Sequence, residues 1–303
     1  MVVGDGTPAS CTAAKVVDAV HGGGVVTFDC GPDPITISVP EISIFNDGGL
    51  GDGSVTIDGG GKVTLAADGA HRILYQNTCD QALHWTTPTC DTQDVPHLVV
   101  QNIAFSNGSV VATDMVKGGG AIYVSGGTFK AVHVTFTNNA EGNLGQDYAG
   151  GALYTFEQTK PVYIVDCTFS GNSGSNGGAI GSLMGSFTIL NSWFEGNSAI
   201  GNGQNPAKPN TPGGGLGGAI YNDGNNYTLT ICGTVFKDNQ ANELGSGGIF
   251  QVVNNLSGDL YIDQSVFTGN SNDGNVQAHP NIFVEARDRD GNAGVHITNT
   301  TFD

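Results

Sequence analysis

The chain has 303 residues, of which 48 are glycine; 13% of the side chains are charged and 38% are apolar. Acids outnumber bases 28 to 10, giving a formal charge of −18 that no Lys/Arg cluster offsets. Such a surface repels phosphate backbones and argues against nucleic acid as a partner. The apolar residues recur in order, so the glycines read as turn chemistry in a regular β fold.

Met1 to Pro8 have no basic start and no apolar core, so the sequence as given shows no signal peptide. Ala9 to His21 read as a short helix: Ala13, Val16, Val17 and Val20 have helical spacing, and Gly22 to Gly24 stop it. A helix here would cap the open end of a stack of coils, where a bare edge invites aggregation. Val25–Phe28, Ile35–Val39, Ile42–Phe45, Val55–Ile57 and Val63–Leu65 follow as strands. Cys11 and Cys30 bracket the N-terminal segment and Cys79 and Cys90 a short loop, which predicts two local disulfides and an oxidising compartment. Cys167 and Cys232 occupy different places in the repeat and are expected to be unpaired. No Cys-x-x-Cys pair occurs and no two histidines have metal-ligand spacing, so no metal site is expected from them. No apolar run approaches the ~20 residues of a membrane span.

From Phe105 onward an internal repeat takes over. Phe-x-x-Asn recurs as Phe136/Asn139, Phe169/Asn172, Phe194/Asn197, Phe236/Asn239 and Phe267/Asn270, with Phe105 and Phe302 in the same place. Seven residues before each Phe stand Leu98, Phe129, Val162, Phe187, Leu229, Leu260 and Val295. Five before stand Val100, Ala131, Ile164, Ile189, Ile231, Ile262 and Ile297. Two apolar columns separated by a mixed one are the period-2 signature of a half-buried strand. The distance from the second column to Phe is odd, so the alternation slips once. Position −3 carries Asn102, His133, Asp166, Asn191, Gly233, Gln264 and Asn299, mostly residues that tolerate left-handed backbone, which predicts a bend there. Ile103, Val134, Cys167, Ser192, Thr234 and Ser265 then turn inward beside the Phe column, and the asparagines are expected to form an internal ladder.

A second phrase precedes each Phe: Gly119-Gly120-Ala121-Ile122, Gly150-Gly151-Ala152-Leu153, Gly177-Gly178-Ala179-Ile180, Gly217-Gly218-Ala219-Ile220 and the variant Gly247-Gly248-Ile249-Phe250. Each coil therefore has three short strands. The expected fold is all-β, a single-stranded right-handed parallel β-helix (solenoid) with a short N-terminal capping helix. It forms one domain over 1–303, with 1–30 as cap and 31–303 as coils. The sequence stops directly after a strand-like run at Thr301-Phe302-Asp303, and removal of a further C-terminal segment is expected.

These phrases resemble the repeats of bacterial polymorphic outer-membrane and autotransporter-like surface proteins. The runs Gly6-Thr7-Pro8-Ala9-Ser10-Cys11, Phe28-Asp29-Cys30-Gly31-Pro32-Asp33-Pro34 and Ile57-Asp58-Gly59-Gly60-Gly61 resemble exported bacterial β-helix proteins of the pectate-lyase-like superfamily. The resemblance implies a secreted or cell-surface protein. It specifies fold better than activity, because the fold carries lyases, hydrolases and passive stalks alike. The Arg-x-Pro-x-x-Arg phrase of pectate lyases and the Asn-Thr-Asp, Asp-Asp and Arg-Ile-Lys phrases of polygalacturonases are missing.

Candidate chemistry follows the Gly-Gly-Ala-Ile phrase. Tyr123, Tyr154 and Tyr221 come directly after it, with Gly181 and Gln251 in the remaining coils. If Ile122, Leu153, Ile180, Ile220 and Phe250 face inward, the tyrosines form an outward row able to stack on sugar rings. Glu157 and Asp223 stand close by, and two carboxylates roughly 5–10 Å apart are the minimum for acid/base glycoside hydrolysis. Two insertions, Tyr75 to His97 with His84 and Trp85, and Gly201 to Gly217, could wall a groove; Trp85 is either a binding edge or a buried lid. Asp288-Arg289-Asp290-Gly291 has a faint calcium-loop look but lacks the further acid and the distal Glu, so it reads as a solvated charged turn; no cofactor is expected, with calcium only a weak candidate. The expected function is an extracellular carbohydrate-active protein acting on or binding a polysaccharide or cell-surface glycan. As catalytic candidates it has Glu157 and Asp223, and as substrate-binding candidates Tyr123, Tyr154, Tyr221 and Trp85. The alternative is a non-catalytic, adhesin-like surface module.

Overall fold

A computed structural model describes residues 1–45, 52–85, 90–110, 117–242, 245–254, 257–272, 279–286 and 294–303. The chain winds as a right-handed parallel β-helix, every coil laying a strand in register on the one before. A long sheet holds Val55–Ala66, His97–Ser106 and Thr128–Thr137, and then the paired segments Val162–Val165/Thr168–Ser170, Phe187–Leu190/Trp193–Glu195, Thr228–Cys232/Val235–Lys237 and Asp259–Asp263/Val266–Thr268. A short sheet collects two-residue strands from Ser109–Val110 to Ser271–Asn272. A third sheet runs from Ile42–Ser43 through Leu74–Asn77, Ile122–Ser125, Leu153–Phe156, Ile180–Leu183, Ile220–Gly224 and Ile249–Val253 to Ile282–Ala286.

The predicted columns are the core. Leu98, Phe129, Val162, Phe187, Leu229 and Leu260 pair rung to rung and are buried, as are Val100, Ala131, Ile164, Ile189, Ile231 and Ile262. The phenylalanine rings stack at centroid distances of 4.6–4.8 Å from Phe136 to Phe267, near the ~4.8 Å strand spacing. The bend at position −3 is present throughout: Asn102, His133, Asp166, Asn191 and Gln264 all have φ of 49–52°, and Gly233 64°. A second left-handed residue two after each Phe (Asn107, Asn138, Gly171, Gly196, Asp238, Gly269) turns the chain into the short sheet. From Asn138 onward the asparagine that follows it points inward. Asn172 Nδ2 donates to Asn197 Oδ1 at 2.9 Å and to the Phe136 carbonyl at 3.0 Å, and Asn197 repeats the pattern toward Asn239 and Phe169. Backbone groups that the turn would orphan are thus satisfied from coil to coil.

The Gly-Gly pair is steric. At Gly178 a Cβ would lie 2.3 Å from the Gly218 carbonyl oxygen and 2.4 Å from the Ser198 nitrogen, so the third sheet and the short sheet can meet there only without a side chain. The fifth copy shifts by one residue against expectation. Ile249 pairs with Ile220 and Phe250 with Tyr221, so Phe250 lies in the tyrosine column and Gln251 faces the interior.

At the N-terminus the helix begins later than the apolar spacing implied. A 3-10 turn occupies Pro8–Ser10, Cys11 is bonded to Cys30, and α1 spans Ala13–His21 with the Thr12 side chain capping the Lys15 N–H at 3.4 Å. Val16, Ala19 and Val20 are buried. The Cys79–Cys90 disulfide is also formed, while Cys167 is a buried free thiol and Cys232 a half-buried one. Burial pushes the Cys167 thiol pKa up to about 12, which keeps it protonated and inert.

Candidate functional site

The tyrosine column exists, but it is closed. Tyr75, Tyr123, Tyr154, Gly181, Tyr221 and Phe250 follow one another in register along the third sheet, opposite the inward Ile122, Leu153, Ile180 and Ile220. Tyr123 is only 1% exposed, and Tyr154 and Tyr221 4% each. The expected open row is therefore corrected: strand alternation gives the face a side chain takes, and here the turns entering the sheet fold over that face. The Gly118 backbone packs on Tyr154 so closely that a Cβ would sit 2.9 Å from its ring. Arg72, itself 3% exposed, lies between Tyr75 and Tyr123 with its guanidinium 5.3 and 5.2 Å from their ring centroids. It donates to the Gly119 and Gly118 carbonyls at 2.9 and 2.8 Å and pairs with Glu41 at 3.2 Å. Burial lowers its pKa from the usual guanidinium value, while Glu41 opposes that shift.

The first insertion is a lid on the core. Trp85 is 4% exposed, and its indole Nε1 donates to the Ile44 carbonyl at 3.3 Å. The substrate-binding option for Trp85 is set aside on that ground, since the ring has no free face. The second insertion does wall a groove. Residues 201–217 form a hairpin with antiparallel bridges Asn202–Gly213 and Gln204–Gly214, and it delivers Asn205 over Tyr221.

The cleft beneath has a volume of about 490 Å³ and lies between Tyr154 and Tyr221, while the Ala149–Gly150 backbone packs over Gly181. Tyr154, Phe156, Leu183 and Tyr221 make its apolar floor, and Lys117, Asp147, Asn205 and Asp223 its polar rim. Asp223 is held from several sides. Its Oδ2 accepts from the Tyr221 hydroxyl at 3.0 Å, and its Oδ1 accepts from Asn254 Nδ2 at 3.0 Å. Asn205 Nδ2 donates to the Tyr221 oxygen at 2.9 Å. Burial, and then the Asp223 charge, holds the Tyr221 phenol well above its ordinary pKa, so its proton stays on the Asp223 hydrogen bond. Asp147 pairs with Lys117 at 3.2 Å.

Of the two carboxylates expected from sequence, Asp223 lines the cleft and Glu157 does not. Glu157 sits on the turn after Leu153–Phe156 with φ 47°, its N–H bonded to the Leu183 carbonyl at 2.9 Å. Asp223 is in register with Leu183 and Phe156, so two rungs, roughly 10 Å of backbone, separate the neighbourhoods of the two acids. The acid that shares the cleft is Asp147, which sequence reasoning missed along with Asn205. Both lie in the variable stretches before a Gly-Gly pair, and the long spacing there was their only signal. Among the described residues no group of three His, Cys, Asp or Glu could hold a metal ion, and no helix is long and apolar enough to cross a membrane. The weak calcium loop at 288–291 lies outside the described residues.

Residues 166–182 match the Chlamydia polymorphic membrane protein (Chlamydia_PMP) repeat. The stretch runs from the bend at Asp166 through Phe169 and Asn172 to the Gly177-Gly178-Ala179-Ile180 phrase. No curated protein and no solved structure matches the chain. The molecule is a parallel β-helical repeat protein, one coil of which is similar to the polymorphic membrane protein repeat.

Proposed function

We propose that the chain is a non-catalytic, surface-displayed module of the adhesin type, a rigid stack that presents side chains to a partner. One observation carries the reading: the Phe stack and Asn ladder run without a break from Phe136/Asn139 to Phe267/Asn270, and the coil at 166–182 matches a polymorphic membrane protein repeat. The two disulfides suit an oxidising, extracellular setting. Each cleft carboxylate already has partners in the fold, Asp147 in Lys117 and Asp223 in Tyr221 and Asn254.

A polysaccharide-cleaving enzyme is the second reading, and the observation favouring it is that Asp147 and Asp223 rim one cleft floored by aromatic rings. Incubation with a polysaccharide panel, with calcium and with chelator, separates the two. Reducing ends report hydrolysis and unsaturated-product absorbance reports elimination. The module reading expects neither. Product release that Asp223→Asn abolishes would overturn it.

A further inference from the structure

We infer that the outer face of the long sheet is a platform for an extended, uncharged polysaccharide. This rests on the module reading and gives it a partner. The sugar-stacking rings expected on the third sheet are buried, yet the long sheet exposes rings that the repeat places in fixed register. Tyr163 is 44% exposed, Trp193 39% and Tyr261 41%. Tyr163 and Tyr261 share one column, three rungs or ~14 Å apart. Trp193 stands across the bend, on the rung next to Tyr163.

Between the rings the face supplies two kinds of contact. Val165 and Leu190, half-buried and adjacent in register, form a low apolar strip. Thr188 and Thr230, together with the side chains at the bend, offer hydroxyl and amide groups beside it. A polymer whose units carry an apolar ring face and an edge of hydroxyls meets both requirements at once.

Charge selects the kind of polymer. The chain carries −18 overall, but the acids on this face are answered locally. Asp166 faces His133 at 3.1 Å, Asp263 accepts from Thr298 and Asn299 at 2.7 and 2.9 Å, and Glu195 pairs with Lys237 at 2.6 Å. Among the described residues Lys130, exposed beside Tyr163, and Asp263 have no oppositely charged side chain against them, so an uncharged chain desolvates two charges at most, whereas a polyanion meets the acidic field of the whole molecule.

The protein has two tryptophans and Trp85 is buried, so a ligand on this face alters the emission and quenching of Trp193 alone. The intact protein is titrated with soluble β-glucan and xylan, with polygalacturonate as the charged comparison, and retention on cellulose and chitin is measured in parallel. Retention on at least one neutral polymer is expected, with Trp193 shielded from iodide. Tyr163→Ala, Trp193→Ala and Tyr261→Ala should each weaken binding roughly fivefold. Asp223→Asn, in the cleft, should leave binding unchanged. The substituted rings are exposed, so the fold is kept, and circular dichroism checks this. Binding that survives all three substitutions, that Asp223→Asn removes, or that leaves Trp193 open to iodide overturns the inference, as does retention on no neutral polymer. Sugar release in the same tubes would instead overturn the module reading, so the two failures are told apart.

Discussion

Glu141 offers the sharpest test of how the short sheet is built. It is 0% exposed, in the column where the following coils place Gly174, Ala199 and Ala241. One carboxyl oxygen accepts the Asn143 N–H at 2.9 Å; the other has no hydrogen-bond partner. Burial raises its pKa from the ordinary 4.5 to about 8, against the opposing pull of the Asn143 N–H and of Arg72. The folded protein therefore holds a proton that the unfolded chain releases between those values. The stabilisation is complete below the unfolded pKa, declines as the pH climbs toward 8, and is flat above. Each pH unit in that window is worth about 1.4 kcal/mol, so the full span is roughly 5 kcal/mol, and water entering on ionisation would reduce it toward roughly 2 kcal/mol. Glu141→Gln keeps the shape and the Asn143 acceptor but cannot ionise. Urea unfolding of both proteins, disulfides intact, at pH 5, 6, 7 and 8 reads the effect. The wild type should lose roughly 2–4 kcal/mol relative to the variant between the ends of the series. Parallel curves would refute the reasoning, because an acid at its ordinary pKa is already ionised across that range.

The ladder and the glycine pair give two further expectations. Asn197→Ala leaves the Phe169 carbonyl and the Asn172 N–H without partners in the interior, and should cost roughly 3 kcal/mol or more by chemical denaturation; a cost below roughly 1 kcal/mol would mean that water replaces the ladder. Gly178→Ala drives a methyl into the Gly218 carbonyl and the Ser198 nitrogen, both backbone, and should lower the melting temperature more than Gly196→Ala. At Gly196 a Cβ meets nothing within 4 Å and only the positive φ of 64° opposes it. Equal shifts would place the cost in backbone conformation rather than in coil contact.

The inward columns were legible in the sequence because stacking ties each residue to one like it in the next coil. Leu98 through Leu260 had to be apolar together, and Asn172 needed an asparagine on either side. The bend at position −3 was legible from Asn, Asp and Gly at one place. The same chemistry stands two residues after Phe, where Asn107, Asn138, Gly171, Gly196, Asp238 and Gly269 make a second turn that the asparagine beside it overshadows in the sequence. The tyrosine row shows where such reading ends. Alternation assigned Tyr123, Tyr154 and Tyr221 to the outer side of their sheet, but what lies over that side depends on turns of irregular length, and these carry no periodicity. Asp147 and Asn205 reach the cleft by that same irregular route.

The asparagine ladder also has a direction. Asn139 donates its amide N–H to Asn172, Asn172 to Asn197, Asn197 to Asn239 and Asn239 to Asn270, always toward the later coil. The side-chain dipoles therefore add along the axis as peptide dipoles add along a helix, and each polarises the next. The positive end of this line points to the C-terminal coils. A coil could be duplicated or deleted within the stack and the line would close again, since every joint is the same joint in the same sense. Reversing one amide would set carbonyl against carbonyl in a dry interior, so the ladder fixes not only how far apart the coils lie but which way the chain has to climb.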